Sequence, residues 1–575
     1  MKNILSLIAG IIICVVLLQY RISYSEMSGG PPVKVTTWDA FGYYMYLPAI
    51  FTYKDVTQLN WVADIDKKYS VTGGDGVQAE KQKNGNYAFK YLGGVAIMEA
   101  PLFFLAGYIA RHTGYPPDGF SPPYQYTLSF GVLFYCLLAI FLLRKILLIY
   151  FSDLTAAITL LMVCLGTNFI QYTAIDNCQS HSYIFVLYVI VLYTTLKWHM
   201  KPNLLYAILT GYIIGLATIS RPTEAIMVFI PIFWNTHTKA FAKEKWLMVK
   251  QHSPHIIAAS IAGLIGVLPQ LLYWKYATGS FIFDVGSKWD FLNPHFRVLF
   301  GWEKGWFIYT PITVFFVIGM FFIKKFPFKK SVIWFCLLNI YIVIGWHIWR
   351  YGGSYSARAL MQSYAVFALP FAAVTETIGL KKWRVAYYVL CAYLMGVNLF
   401  QIVQYNKTIL HYDEMNRLYY SRIYLNPDPS PIDISLLDTH DFLSNEKGYQ
   451  KNTLADTALY VRILPDASAV LVEKNLTTDK NKTTADEWIK VESNIRVDSG
   501  FWKCYLNGEL RNGDSVINTR IRLCNALSKE GKNNAYAFYI HVPEYFEHGH
   551  LKVYIDVAYN FGAQISNIKV TELTK

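Results

Sequence analysis

Asp39 is the only carboxylate in the run Thr37-Trp38-Asp39-Ala40-Phe41-Gly42-Tyr43-Tyr44-Met45-Tyr46-Leu47-Pro48-Ala49-Ile50-Phe51, which is otherwise dominated by aromatic and aliphatic residues. Such a group has two uses: it can take the proton of a hydroxyl, or it can cap a helix by accepting backbone N–H groups. At helical spacing Phe41, Tyr44, Met45 and Pro48 share a face, so the run predicts a short helix at a membrane surface with Asp39 at its start. Further polar residues stand in short stretches between apolar runs. Lys90 and Glu99 follow in the same long loop, and Asp176 and His181 frame Asp176-Asn177-Cys178-Gln179-Ser180-His181. Arg221 opens Arg221-Pro222-Thr223-Glu224, Lys288 lies in the loop 275–305, and Arg350 and Arg358 bracket Trp349-Arg350-Tyr351-Gly352-Gly353-Ser354-Tyr355-Ser356-Ala357-Arg358. Cations of this kind hold phosphate, and carboxylates beside them move protons. Each also has a plainer use. Asp176 reads as a helix cap, Arg221 as a snorkelling cation beside a span-breaking proline, His181 as a satisfied polar residue at a helix start, and Gly352-Gly353 as a turn.

The elements that must carry these residues are apolar helices. The chain has 575 residues, 54% hydrophobic and 16% charged, a composition that predicts an α-helical polytopic membrane protein rather than a soluble enzyme. The net charge of +13 does not imply nucleic acid, because the basic residues sit in short clusters between apolar segments. Spans are predicted near 4–20, 125–147, 154–173, 181–198, 203–219, 222–235, 255–274, 306–323, 331–348, 360–378 and 385–404. With the N-terminus cytoplasmic and about eleven spans, the clusters at Arg144/Lys145, Lys197/Lys201, Lys239 to Lys250, Lys324 to Lys330 and Lys381 to Arg384 all fall inside. That parity requires that 86–111, with Lys90, Glu99 and Pro101, not cross. It also places Asp39, Lys90, Glu99, Asp176, His181, Arg221, Lys288, Arg350 and Arg358 on the outer side of an inner membrane, and the C-terminal domain outside with them.

Three regions follow: a membrane domain over 1–404 with an outer loop at 21–121, a linker over 405–455 around Asn426-Pro427-Asp428-Pro429-Ser430-Pro431, and a β-sandwich over 456–575. The last rests on alternation in Ala458 to Leu464 and Leu551 to Val557, with Asn507-Gly508 and Asn512-Gly513 read as turns. Cys504 and Cys524 are the only cysteines there and would pair in an oxidising compartment. No GxxxxGK[ST] or GxSxG motif occurs, so nothing points to a soluble nucleotide donor.

One amino-terminal span, a large outer loop opening on an acidic residue, many further spans and an outer C-terminal domain together resemble the GT-C membrane glycosyltransferases. Protein O-mannosyltransferases and the lipid A aminoarabinose transferase belong to that group. The resemblance covers 1–404. It implies that Asp39 is the catalytic carboxylate, although Ala40 stands where the group often has a second acid. It implies that Lys90, Arg221, Arg350 and Arg358 contact a donor phosphate and that Asp176 is a further catalytic acid. Tyr43, Tyr44, Glu99, His181, Lys288 and Trp349 are then candidate substrate contacts. The expected reaction is inverting transfer of a sugar from a polyprenyl-phosphate donor to a protein, lipid or glycan acceptor at the outer face. Some relatives use a divalent metal and some do not; with no DxD in the first loop, none is expected to be obligatory. Two rival readings fit the same sequence: a transporter or polymerase of envelope polysaccharide, which should carry charges at mid-span, and a non-catalytic scaffold whose β-domain binds glycan.

Overall fold

The computed structural model describes residues 3–575 except 75, 459–460, 464–465, 477–485, 498–502, 545, 547–548 and 558–562. The chain divides into two compact units, Met1–Leu399 and Phe400–Lys575.

The first unit is helical. Among the described residues, six helices are long and apolar enough to cross a bilayer: Ile4–Ser23, Gly94–His112, Pro122–Tyr150, Ser180–Met200, Ser253–Thr278 and Arg384–Asn406. Shorter apolar helices include Asp153–Leu165, Leu204–Thr218, Pro222–Phe233 and Tyr364–Gly379. The protein is therefore an integral, polytopic membrane protein. Gly94–His112 qualifies as a span by length and composition, so the helix itself does not bear the parity argument that kept 86–111 from crossing. Near 306–323 the predicted continuous span is broken into short turns around Pro311 and Gly319, whose Cβ position lies 2.1 Å from the Pro370 carbonyl oxygen. Only glycine permits that approach.

Close packing of small residues carries the site-bearing loops to their places. Gly211 and Gly215, one turn apart on Leu204–Thr218, lie against Ser253–Thr278; added Cβ atoms would sit 1.9 and 2.2 Å from the carbonyl oxygens of Ala259 and Gly263. The far end of Leu204–Thr218 stops before Arg221-Pro222, where proline cannot continue the backbone ladder. There the Ile219 carbonyl accepts from the Gly94 N–H at 2.8 Å. This bond ties the loop carrying Tyr91 to the loop carrying Arg221.

Trp38–Tyr44 is a short helix with Thr37, not Asp39, at its N-cap position, and Asp39 in its first turn. Phe41, Tyr44, Met45 and Pro48 are all buried, in a core built with Phe103, Phe120 and Tyr124. The face predicted from spacing is thus covered by protein.

The second unit holds helices Arg417–Ile423 and Pro431–Ser435, the latter closed by a Ser430/Asp433 capping box, before its strands begin. The hairpin of β1 (Ala79–Lys81) and β2 (Tyr87–Phe89) belongs to the first unit. In the second unit β3 (Gln450–Thr457), β4 (Val461–Ile463), β5 (Ala467–Asn475), β6 (Glu487–Val497), β7 (Cys504–Asn512), β8 (Ser515–Arg522), β9 (Asn533–Val542), β10 (His550–Val557) and β11 (Ala563–Thr574) form two antiparallel sheets. Their orders are β5-β10-β7-β8 and β3-β11-β6-β9, with β4 also on β11. Leu551, Val553, Ile555 and Val557 point into the core on strict alternation. Asn512-Gly513 makes the predicted turn, with Gly513 at φ 55. Asn507-Gly508 does not: it lies inside β7, where Gly508 lets Ile540 approach to 2.6 Å of its Cβ position. Cys504 is buried in the sandwich core and Cys524 half-buried, and neither forms a disulfide. Of the predicted alternation at Ala458 to Leu464, three residues lie outside the described ones.

Candidate active site

Asp39 Oδ2 accepts from Arg358 Nη2 at 2.8 Å, and its Oδ1 accepts from the Tyr91 hydroxyl at 2.6 Å. The Asp39 side chain is 35% exposed and that of Arg358 only 13%, so a largely covered cation meets a carboxylate that solvent still reaches. Gly42, one turn beyond Asp39, makes room for Tyr91: a Cβ there would stand 2.1 Å from the ring. Tyr43 packs on the same ring at 4.6 Å between centroids. Arg358 also donates from Nη1 to Gln179 Oε1 at 3.1 Å, while its Nε is buried with no hydrogen-bond partner.

A second set of contacts lies beside the first. Arg221 Nη1 donates to Gln362 Oε1 at 3.1 Å, and His181 Nδ1 stands 3.0 Å from the same oxygen. The Gln362 amide in turn donates to Glu224, which also accepts from the Tyr188 hydroxyl and, at 2.9 Å, from the Thr223 hydroxyl. Glu224, Gln362 and His181 are buried. Arg221 and Arg358 both act electrostatically on Asp39 and on His181.

Asp39 and Asp176 are pushed in opposite directions. Burial raises the Asp39 carboxyl, but Arg358 and the Tyr91 hydroxyl outweigh it, and the group titrates below its ordinary 3.8. For Asp176 desolvation wins over Gln171, Arg358 and Arg21, and the carboxyl is raised. Its Oδ2 accepts from Gln171 at 3.0 Å, and it does not cap Ser180–Met200, whose N-cap position is Gln179. Asp176 is also open to solvent.

The loops that carry these groups hold unusual backbones. Trp38 (φ 51), Cys178 (φ 69), Tyr351 (φ 54) and Ser356 (φ 57) all take left-handed conformations. Each costs on the order of 1–3 kcal/mol for a non-glycine residue, and such residues concentrate where a site demands them. Trp38 and Tyr351 adjoin Asp39 and Arg350, and Cys178 and Ser356 stand two positions from Asp176 and Arg358.

The other predicted residues find their described partners outside these two sets. Lys90 is exposed beyond β2, although its neighbour Tyr91 reaches Asp39. Arg350 pairs with Glu303 at 2.7 Å and lies over the Trp349 ring at 4.7 Å, and Trp349 also receives Arg297. Lys288 is exposed, and its carbonyl accepts from His347. Tyr44 donates to the Gly119 carbonyl in the aromatic core, and buried Glu99 accepts from Tyr183 at 2.9 Å. Tyr91, Gln179, Glu224 and Gln362 were not singled out from the sequence. Glu224 and Gln362 carried a readable signal, being polar residues inside apolar runs, and Tyr91 did not. Among the described residues, no three His, Cys, Asp or Glu side chains gather as metal ligands would.

No protein-family model matches the chain, and no curated protein matches it. Solved structures do. The chain is similar to ArnT from Cupriavidus metallidurans in the apo state, with 9% identity, 72% of this chain and 68% of that one covered, and a TM-score of 0.43. It is similar to the same protein bound to undecaprenyl phosphate, with 10% identity, 73% and 68% covered, and a TM-score of 0.42. It is also similar to the oligosaccharyltransferase of Archaeoglobus fulgidus, with 12% identity, 73% and 58% covered, and a TM-score of 0.42.

Proposed function

We propose that the protein is a membrane glycosyltransferase that moves a sugar from a polyprenyl-phosphate donor to a hydroxyl-bearing acceptor at the Asp39 site. The observation that carries this reading is the Asp39–Arg358 pair: a solvent-reached carboxylate and a largely covered guanidinium at 2.8 Å, in a unit made of membrane-spanning helices. A donor with a lipid tail reaches such a site from the bilayer, and its phosphate needs a fixed cation. Arg358, with its unpartnered Nε, and Arg221 offer that charge. No metal is required by this reading, because guanidinium groups take the charge on the leaving phosphate.

In the reaction an acceptor oxygen attacks the anomeric carbon as the bond from that carbon to the phosphate oxygen breaks. The electron pair leaves with polyprenyl phosphate, and the acceptor proton passes to a carboxylate. Attack opposite the leaving group inverts the anomeric centre. Asp39 is a weak base while Arg358 holds it. A donor phosphate that shares Arg358 loosens that hold and adds negative charge nearby, so Asp39 gains basicity when the donor is bound. Asp176, whose carboxyl desolvation raises, is a second candidate proton acceptor.

The test is transfer of label from a polyprenyl-phosphate sugar by the purified protein in nanodiscs, compared with Asp39→Asn. Loss of at least ~100-fold in the variant, with unchanged insertion and unfolding temperature, supports the reading. Equal transfer by both proteins contradicts it.

A further inference from the structure

We infer that residues 288–300 form a membrane anchor: Phe291 and Leu292 sit among lipid acyl chains, and Arg297, over the Trp349 ring, takes a phospholipid head group. The inference stands apart from the sugar-transfer reading and uses no residue of the Asp39 pair.

It begins with the helix Lys329–Gly345, the counterpart of the span predicted near 331–348. Val332, Phe335, Cys336 and Asn339 are buried on one face, while Trp334, Leu337 and Tyr341, at helical spacing on another, are exposed. In a polytopic membrane protein an apolar helix stripe that no protein covers faces lipid. The helix is short for a span. Its 17 residues rise about 25 Å, less than the ~30 Å of a bilayer's hydrocarbon, so lipid that begins near Lys329 and Lys330 extends past Gly345.

Residues 288–296 stand at that end of the helix. The Asp290 and His295 N–H groups donate to the Gly345 and Ile344 carbonyls, both at 2.7 Å, and the Tyr341 hydroxyl donates to the Phe291 carbonyl at 2.6 Å. Phe291 stacks on Tyr341 at 5.4 Å between ring centroids, and Gly345 makes room for it, since a Cβ there would stand 3.0 Å from the Phe291 ring. The lipid-facing stripe of Trp334, Leu337 and Tyr341 therefore continues into Phe291. Asp290 Oδ1 accepts from the Asn293 N–H at 3.1 Å, closing a turn with Phe291 and Leu292 at its tip. Leu292 is 92% exposed, and Phe296 and Phe300 stand open beyond it. The exposed guanidinium of Arg297 lies 5.7 Å from the centre of the Trp349 ring and has no ion-pair partner among the described residues, whereas Arg350, over the same ring, is held by Glu303. An apolar tip with a tryptophan and an unpaired cation at its base is the chemistry of the boundary between acyl chains and head groups.

The experiment places a bimane label on Leu292→Cys in the full-length protein, with Cys14→Ser and Cys524→Ser because the remaining cysteines are buried. The protein is held in nanodiscs of phosphatidylcholine and phosphatidylglycerol. The label should be quenched several-fold more by lipids with brominated acyl chains than by aqueous iodide. Stronger quenching by iodide puts the tip in water and overturns the inference. Quenching by neither means that protein, such as a second copy of this chain, covers the tip, and overturns it too. In a second measurement, phosphatidylglycerol with a photoreactive head group should cross-link within residues 288–303. Arg297→Gln should lower that yield roughly fivefold, the loss of one cation–head-group attraction. An equal yield from both proteins overturns the head-group assignment. Neither readout requires sugar transfer, so this inference and that reading fail separately.

Discussion

Asp39 and Arg358 stand 319 positions apart in the chain and meet at 2.8 Å, with the Tyr91 hydroxyl completing the carboxylate's contacts. The pair joins the stretch between Ile4–Ser23 and Gly94–His112 to the short helix Arg358–Met361 that precedes Tyr364–Gly379.

Its replacement should be asymmetric. Arg358→Lys keeps a positive charge but loses the fork that holds Asp39 and Gln179 together, and we expect transfer to fall ~10- to 100-fold. Arg350→Ala, by contrast, removes an exposed cation already paired with Glu303, and we expect transfer within about threefold of wild type. Steady-state transfer rates on the two variants check this directly.

The ion pair also sets a pH dependence. Asp39 is held below its ordinary 3.8, chiefly by Arg358 against the opposing effect of burial. A depressed carboxylate contributes stability that is present above its unfolded value and is lost as pH falls through its folded one. Removing Arg358 leaves burial opposed only by the Tyr91 hydroxyl and Arg221, so the carboxyl should rise. The acid limb of residual transfer in Arg358→Gln should therefore shift to higher pH than in wild type, read from initial rates across pH. A shift to lower pH would mean that another cation sets the value.

Gly42 gives a packing test of the same site. A methyl group at Gly42 would stand 2.1 Å from the Tyr91 ring, so the ring must leave its seat and its hydroxyl must leave Asp39. Gly42→Ala should cost ~1–3 kcal/mol of stability from overpacking. It should also lower transfer roughly tenfold, as a lost positioning contact does. Gly42→Ala combined with Tyr91→Ala should recover the stability but not the transfer, measured by thermal unfolding and by rate.

In the second unit Glu446 is gripped by Lys451, by Lys490 at 3.0 Å and by the Tyr539 hydroxyl at 2.7 Å. Burial opposes these contacts, but they prevail and hold the carboxyl at about 2, below its ordinary 4.5. Glu446→Gln should lower the unfolding temperature of the full chain at neutral pH, by the modest amount expected of partly exposed pairs worth ~0.2–1 kcal/mol each. The gap between variant and wild type should close as pH falls from 4.5 toward 2, because the wild-type group then loses its charge too.

The legible part of this protein was whatever depends on local pattern. Apolar length announced Ile4–Ser23 and Ser253–Thr278, and strict alternation announced β10. The face of Phe41, Tyr44 and Met45 was readable at helical spacing, though not that protein rather than lipid would cover it. What pattern could not supply was pairing across distance. Arg350 and Arg358 looked equivalent in one short motif, yet Glu303 takes the first and Asp39 the second. Lys90 drew attention as a cation, but its neighbour Tyr91 makes the contact because Gly42 leaves room for a ring. Asn507-Gly508 carried a turn signal that tertiary packing under Ile540 overrode.

If Asp39 works on a lipid-linked sugar, its loss must leave that sugar unused. The most direct measurement is mass spectrometry of lipid-linked sugars in cells lacking the protein, then complemented with wild type or Asp39→Asn. One polyprenyl-phosphate sugar should accumulate in the deletion, be cleared by wild type, and persist with Asp39→Asn. An unchanged lipid-linked pool in the deletion, or clearance by Asp39→Asn as complete as by wild type, would contradict it.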